Sequence, residues 1–139
     1  MIRKAPISTI MTGNVVTLKK GDSLEKAERL FKHHHIRHIP VVTDDVIIGM
    51  LSYTDLLRIS FADAVGVDEE HTESMVYDMF TIEQVMKSNL VCVSPSSSIK
   101  EVAKILAEKE FHALPVVQRN KLVGIVTTTD LIKYLLKQF

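Results

Sequence analysis

Two aspartates, Asp55 and Asp130, each follow a hydroxyl side chain by three positions, Ser52 in one case and Thr127 in the other. Such a carboxylate can accept hydrogen bonds from both hydroxyls of a ribose, and hydroxyls and N–H groups at a helix start can bind phosphate. The same spacing is that of a capping box, in which these groups only satisfy the first N–H groups of a helix. Local pattern alone favours capping, and a nucleotide site at these aspartates is the alternative. The intervening hydroxyls at these helix starts are those of Thr54 and Thr129.

The elements that must position these aspartates occur twice, because the chain is a tandem repeat. A constant offset of 75 positions relates Met11 to Met86 and Asp55 to Asp130. In each copy the spacing of apolar residues is that of a strand, a helix, two strands and a second helix, in this order. This β-α-β-β-α order predicts an α/β (α+β) fold. The predicted strands are 15–18, 39–42, 46–51, 90–93, 114–117 and 122–126, with polar turns predicted at 43–45 and 118–120. Polar side chains within 21–23 and 96–98 are predicted to cap the first helix of each copy.

Composition limits the classes of protein to consider. The chain has 139 residues, 46% of them apolar, so one domain with a divided core is expected. The 17 basic and 17 acidic side chains balance, but six acids and no Lys or Arg lie between the copies, which leaves the remainder at 17 − 11 = +6. That charge suits a small anion and falls short of a nucleic-acid binder. The segment that carries these acids is either simply solvated or contacts a partner. The six acids are Asp63, Asp68, Glu69, Glu70, Glu73 and Asp78.

Location and redox state are predicted from what the sequence carries. Its longest apolar run, 46–51, falls far short of the roughly 18 residues of a membrane span. The N-terminal residues have no apolar core of a secretory signal. A cytoplasmic location without membrane insertion is therefore expected. Cys92 lies between two valines and is predicted to be a buried, reduced thiol.

In this order, and in both copies, the motifs resemble a tandem CBS-domain pair, also called a Bateman module. The resemblance rests on the starts Ile10-Met11 and Val85-Met86, the two Pro-Val-Val strands, and the stretches from Gly49 to Asp55 and from Gly124 to Asp130. It implies repeats at 6–62 and 83–139, joined by an acidic connector at 63–82. It further implies packing about a pseudo-twofold axis, a homodimer, and adenosine-containing ligands in clefts between the repeats.

The resemblance also assigns roles to residues and reverses the preference for capping at the aspartates. Asp55 and Asp130 match the ribose-binding position of nucleotide-binding members, with hydroxyls near phosphate at Ser52, Thr54, Thr127 and Thr129. Phosphate candidates are Arg37, His38 and His112, while Ala113 at the fourth matched position puts equal occupancy of the two sites in doubt. Ile36 and Phe111 lie where the family packs adenine, although both also suit an ordinary core.

Metal binding and catalysis are not expected. His34 and His38 are four residues apart, which on one helix would place both on one face. Pro40 and the β-branched strand predict that the helix stops near His35, which separates the pair. No spacing suggests a catalytic triad, and five glycines form no phosphate-binding loop.

Two functions of different classes remain. The first is a non-enzymatic sensor of AMP, ADP or ATP, with S-adenosylmethionine or NAD as further ligands, which signals to a partner enzyme, channel or transporter by a population shift. The second is a ligand-free dimerisation and interaction scaffold. No obligatory cofactor is expected in either.

Overall fold

A computed structural model describes residues 5–62, 77–109 and 111–139 of the chain, with backbone alone over 60–62. The acidic connector, except for its last residues, lies outside the described residues, and with it the acids from Asp63 to Glu73. Asp78 is described and exposed. The fold is mixed α+β, as predicted. Its described residues form two compact units, one of 16–44, 48–62 and 77–89, the other of 5–15, 45–47, 90–109 and 111–139.

The first unit follows the predicted order. Its elements are β1 (Leu18–Lys19), α1 (Leu24–His34), β2 (His38–Thr43), most of β3 (Val46–Ser52), α2 (Tyr53–Ala62) and the short helix α3 (Ile82–Val85). β1 runs parallel to β2 with Leu18 opposite Val41. Ser23 caps α1 by accepting from the Lys26 N–H at 3.1 Å, which confirms the predicted cap segment. A core lies between α1, α2 and the strands, with Leu24, Phe31, Ile39, Leu51 and Leu56 almost fully buried.

The second unit repeats this arrangement. It contains a 3-10 turn (Ile7–Thr9), α4 (Ile99–Glu108), β4 (Ala113–Gln118), β5 (Lys121–Thr127) and α5 (Thr128–Lys137). Ser98 caps α4 through the Glu101 N–H at 3.0 Å. β4 and β5 are antiparallel, and Val46 of β3 pairs with Lys121 of β5. The core of this unit includes Ile7, Val102, Leu114, Val116 and Val126.

Two-residue turns join the paired strands of each copy. Asp44 and Asp45 have φ of 50° and 68°, and Arg119 and Asn120 at the matched positions have 53° and 68°. Positive φ at both central residues defines the turn that suits the right-handed twist of a hairpin. The predicted polar turns are therefore confirmed, with a backbone conformation that costs an aspartate more than an asparagine or a glycine.

The predicted strand 90–93 is wrong as a strand, because only Val93 forms a bridge, to Val116. The matched residue of the first unit, Leu18, pairs in the same way, but there the ladder continues to Lys19. In the second unit Pro95 stands where the first unit has Lys20, and it has no N–H to extend the pairing. The predicted strand 15–18 is likewise reduced to 18–19.

The prediction of a buried Cys92 is also wrong, since this residue is exposed. Side chains alternate along an extended segment, and Val91 and Val93 on either side turn toward the core. Partial desolvation by neighbouring chain still raises the pKa of the Cys92 thiol. The thiolate, which is the reactive form, is therefore less available near neutral pH than in a free cysteine.

The two units exchange the segments that precede the repeats. We call residues 5–15 and 77–89 the first and second leader segments. The second leader precedes the second repeat but belongs to the first unit, where Tyr77 and Ile82 are buried in the core. The first leader precedes the first repeat but belongs to the second unit, where Ile7 is buried.

Each leader places a methionine on a glycine of its unit. A Cβ on Gly49 would lie 2.2 Å from Met86 Sδ, and one on Gly124 would lie 2.5 Å from Met11 Sδ. Paired backbone hydrogen bonds hold each leader, between Met50 and Lys87 at 2.9 Å in both directions and between Thr12 and Ile125 at 2.8 and 3.0 Å. Glycine recurs at this point because the leader's side chain occupies the space of a Cβ.

Candidate functional site

The first candidate site forms where β3 ends and α2 begins. The Asp55 N–H donates to Ser52 Oγ at 3.0 Å, so Ser52 supplies the oxygen that begins the helix. The Tyr53 N–H donates to the carbonyl of Arg37 at 2.9 Å. This bond holds the segment before β2 against the helix start, so the predicted residues Arg37, Ser52 and Asp55 meet in one unit.

Packing beneath this helix start fixes its position. The rings of Phe31 and Tyr53 meet edge to face with centroids 5.3 Å apart. Ile36, the residue suggested for a base, packs partly buried against the same core. Thr54 and Arg37 are exposed, whereas His38 is half-buried in β2.

Asp55 is 8% exposed, which is unusual for a carboxylate. Its Oδ1 lies 3.5 Å from Nη1 of Arg58, whose side chain is 71% exposed. Among the residues that the structure describes, its buried Oδ2 has no hydrogen-bond partner. A buried polar atom left in this state costs about 1–3 kcal/mol, and more when charged, whereas so exposed an ion pair returns about 0–1 kcal/mol.

The second candidate site forms in the same way in the other unit. The Asp130 N–H donates to Thr127 Oγ1 at 3.1 Å, and the Thr128 N–H donates to the His112 carbonyl at 3.0 Å. His112 and Thr129 are exposed, and Phe111 packs partly buried against the second core. The structure therefore also brings together His112, Thr127 and Asp130.

The carboxylates differ in what they bind. Asp130 Oδ2 accepts from the Thr127 N–H at 2.9 Å, which completes a reciprocal capping box. Asp130 is half-buried rather than buried. Asp130 therefore both donates to and accepts from Thr127, as a capping box requires. Asp55 only donates its N–H to Ser52.

Sequence reasoning missed two neighbours of Asp55. Arg58 lies three residues along α2, a spacing at which opposite charges meet on a helix, so this pair was available from the sequence. Tyr53 donates its N–H to the Arg37 carbonyl and packs its ring against Phe31. No local sequence pattern predicts either contact.

The histidines divide as predicted. α1 ends at His34, His35 adopts a left-handed conformation with φ 53°, and His38 begins β2. The rings of His33 and His34 meet edge to face at 4.7 Å. Within the described ranges no group of three or more potential metal ligands occurs.

The start of α1 shows another difference in charge. Burial, which raises the pKa of the Asp22 carboxyl, is outweighed by hydrogen bonds from the Lys19 N–H at 2.8 Å and the Lys26 ammonium at 3.2 Å, so its pKa lies below the usual value. At the matched position the uncharged Ser97 Oγ accepts from the Ser94 N–H at 3.1 Å, as Asp22 accepts from the Lys19 N–H.

Both repeats of the chain match a known protein family. The model of the CBS domain family matches residues 7–62 and 82–137. The CBS domain-containing protein YhcV of Bacillus subtilis is 32% identical over 90% of this chain and 81% of its own. The solved CBS domain of a CBS domain-containing membrane protein from Sphaerobacter thermophilus is 30% identical, with a TM-score of 0.81, over 95% of this chain and 88% of that one.

Other relatives are longer. An uncharacterised protein of Methanocaldococcus jannaschii is 29% identical over 97% of this chain, which spans 33% of its length. A homoserine O-acetyltransferase of Methanohalobium evestigatum is 27% identical over 96% of this chain, which spans 24% of its length.

Two solved structures share the fold and contain ligands. CBSX2, in complex with AMP, is 22% identical with a TM-score of 0.78 over 96% of this chain and 97% of that one. A CBS domain pair with 5′-methylthioadenosine and S-adenosyl-L-methionine is 20% identical with a TM-score of 0.79 over 97% and 98%. In the described part of this chain, no helix has both the length and the apolar character needed to cross a membrane.

Proposed function

This chain belongs to the CBS-domain family, and on that premise we propose that it is a non-enzymatic regulatory module that senses an adenosine-containing ligand. AMP, ADP or ATP is the ligand proposed first, with S-adenosylmethionine and NAD as further members of the class. Each unit supplies one candidate site, with Asp55 as the candidate ribose ligand of the first and Asp130 of the second. The candidate phosphate and hydroxyl contacts of the two sites are Ser52, Thr54, Thr127, Thr129, Arg37, His38 and His112, with Ile36 and Phe111 as candidates against the base.

The observation that carries this proposal is the buried Oδ2 of Asp55 at the start of α2, which has no hydrogen-bond partner among the described residues. A ribose hydroxyl is a donor that would satisfy this oxygen. The N-terminus of the helix favours an anionic group, and Arg37, whose carbonyl accepts from the Tyr53 N–H at that point and whose side chain is exposed, adds a cation to the same segment. Adenosine is chosen because two proteins of the same fold hold AMP in one case and S-adenosyl-L-methionine in the other.

We propose that ligand binding is signalled to another protein through an exposed apolar surface of this chain. Four apolar side chains at the C-terminal end are more than half exposed, at 57, 55, 68 and 95%: Ile132, Leu135, Leu136 and Phe139. Apolar surface of this kind commonly marks a protein interface. It supports the proposal of a homodimer and of a regulated partner, an enzyme, channel or transporter. The cytoplasmic location stays a prediction from the sequence.

The proposal is tested by thermal unfolding of the purified protein with AMP, ADP, ATP, NAD and S-adenosylmethionine, with guanine and pyrimidine nucleotides as controls. A ligand at 100 times its Kd adds about 2.7 kcal/mol to the free energy of unfolding and raises Tm by several degrees. A shift confined to adenine compounds is the expected result.

An unchanged Tm across the whole panel would favour the second candidate, a ligand-free interaction scaffold. The capping box of Asp130 and the exposed apolar side chains of α5 favour that candidate. Its own test is analytical ultracentrifugation, in which a dimer without any added nucleotide is expected.

A further inference from the structure

We infer that the two aspartates are not equivalent and that the module takes one ligand per chain, with Asp55 as the acceptor of the ribose hydroxyls and Asp130 as a structural helix cap. This inference rests on the proposed function and specifies which of its two candidate sites is used. The matched positions make the comparison direct, because sequence spacing and helix start are the same in both copies.

The first argument is the state of the carboxylate oxygens. Asp130 Oδ2 already accepts from the Thr127 N–H at 2.9 Å, so a ligand hydroxyl would have to share or displace that bond. Asp55 Oδ2 accepts from no group in the described ranges and is buried. A new donor at Asp55 therefore gains a hydrogen bond without breaking one, and a new donor at Asp130 does not.

The second argument is what holds each carboxylate in place. The Asp55 carboxylate is held by the packing that leaves the residue 8% exposed and by Arg58 at 3.5 Å from Oδ1, while Oδ2 accepts no hydrogen bond from the described residues. Asp130 is fixed through Oδ2 itself. Preorganisation of an available acceptor lowers the ordering cost of binding.

The third argument is the charge beside each helix start. In the first unit the carbonyl of Arg37 accepts from the Tyr53 N–H at the helix start, and the next residue is His38. The second unit has His112 and then Ala113. A guanidinium carries a permanent charge and binds phosphate oxygens in pairs, so the segment bonded to the helix start of Asp55 is more cationic than the one bonded to the helix start of Asp130.

The test is isothermal titration of the full chain with the tightest binder among AMP, ADP and ATP. One site per chain is expected for the unmodified protein. Asp55→Asn should weaken binding at least tenfold, because an amide replaces one acceptor oxygen with a donor. Asp130→Asn should bind within twofold of the unmodified protein, since Asn also caps helices well. Asp78→Asn, at an exposed acid, controls for the change in net charge.

The 2′-deoxy form of the same nucleotide links the carboxylate to the ribose. It should bind about tenfold more weakly than the ribonucleotide to the unmodified protein and to Asp130→Asn. Asp55→Asn should bind the two forms alike, because hydroxyl and carboxylate belong to one interaction and their removals are not additive. Equal penalties in all three proteins would overturn the assignment of Asp55.

Folding of each variant is checked by its Tm without ligand. If Asp55→Asn does not fold, Arg37→Gln takes its place, with His112→Gln as the matched variant, and only Arg37→Gln should weaken binding. Two equivalent sites in the unmodified protein, or a loss in Asp130→Asn equal to that in Asp55→Asn, overturns the inference and leaves the proposed function standing. No binding of any nucleotide by the unmodified protein overturns both.

Discussion

Asp55 and Asp130 occupy matched positions, yet Asp55 is buried with one oxygen that accepts from none of the described residues, and Asp130 closes a reciprocal capping box. The helix begins correctly in both units, so a completed box is not needed to start it. The difference shows that a duplicated motif can start its helix in both copies although only one of the two carboxylates accepts from the N–H of its cap residue. The unpartnered oxygen at Asp55 lowers stability, a cost typical of functional sites.

The core under the two helix starts gives the largest test of this comparison. Leu56 is fully buried, whereas Leu131 at the matched position is only partly buried. We expect Leu56→Ala to lower the free energy of unfolding by about 3 kcal/mol and Leu131→Ala by about 1 kcal/mol, because transfer and cavity terms both grow with burial. Urea denaturation measures both. Equal losses would show that the two cores are packed alike.

The glycines under the leader methionines test whether the leader contacts are equivalent. Gly49→Ala and Gly124→Ala should each destabilise by about 1–3 kcal/mol through overpacking. The three atoms nearest to a Cβ at Gly49 all belong to the Met86 side chain, so Met86→Val should restore most of the loss. A Cβ at Gly124 also meets the Thr12 carbonyl oxygen at 3.0 Å, so Met11→Val should restore less. Equal rescue in the two double variants would remove the distinction.

The start of α1 tests a difference in charge. The pKa of Asp22 is lowered in the folded protein, so its stabilisation is complete above the ordinary value of 3.8 and is lost as the pH falls through the folded-state pKa. Asp22→Asn should lower stability by about 0.5 kcal/mol at pH 7, since the carboxylate is close to solvent. The difference should disappear in strong acid. Ser97→Ala, at the matched position, should show a loss that does not depend on pH in this range.

The hairpin turns give the smallest expected effect. Asp45→Gly should stabilise by about 0.5 kcal/mol, because glycine adopts a φ of 68° without strain. Asn120→Gly, at the same φ, should gain less, since asparagine tolerates this conformation. A larger gain at Asn120 than at Asp45 in thermal unfolding would contradict this account of the turns.

Local patterns predicted much of the fold. The caps at Ser23 and Ser98, the end of α1 near His35 and both polar turns were correct, because each depends on residues within a few positions of one another. The strand 90–93 and the burial of Cys92 were wrong. A short apolar run does not reveal that Pro95 ends its pairing or which side of an extended segment meets the core.

The candidate site was predicted in part. Sequence identified the matched groups that meet at each helix start, but the spacing of Ser52 and Asp55 is the same as that of Thr127 and Asp130. Whether an aspartate side chain turns back to its cap or stays buried depends on its rotamer and on tertiary packing, which spacing does not encode. Membership of the CBS-domain family indicates where to look, and the ligand remains a proposal.

The exchange of leader segments has a consequence for how the chain is cut and built. Each core is completed by the leader segment of the other repeat, which is the connectivity of a domain-swapped dimer whose protomers have been joined end to end. A single repeat expressed with its own leader would carry the methionine of the other core and lack its own. Two halves separated within 63–76 should therefore fold together when mixed, by complementation, and neither should fold well alone.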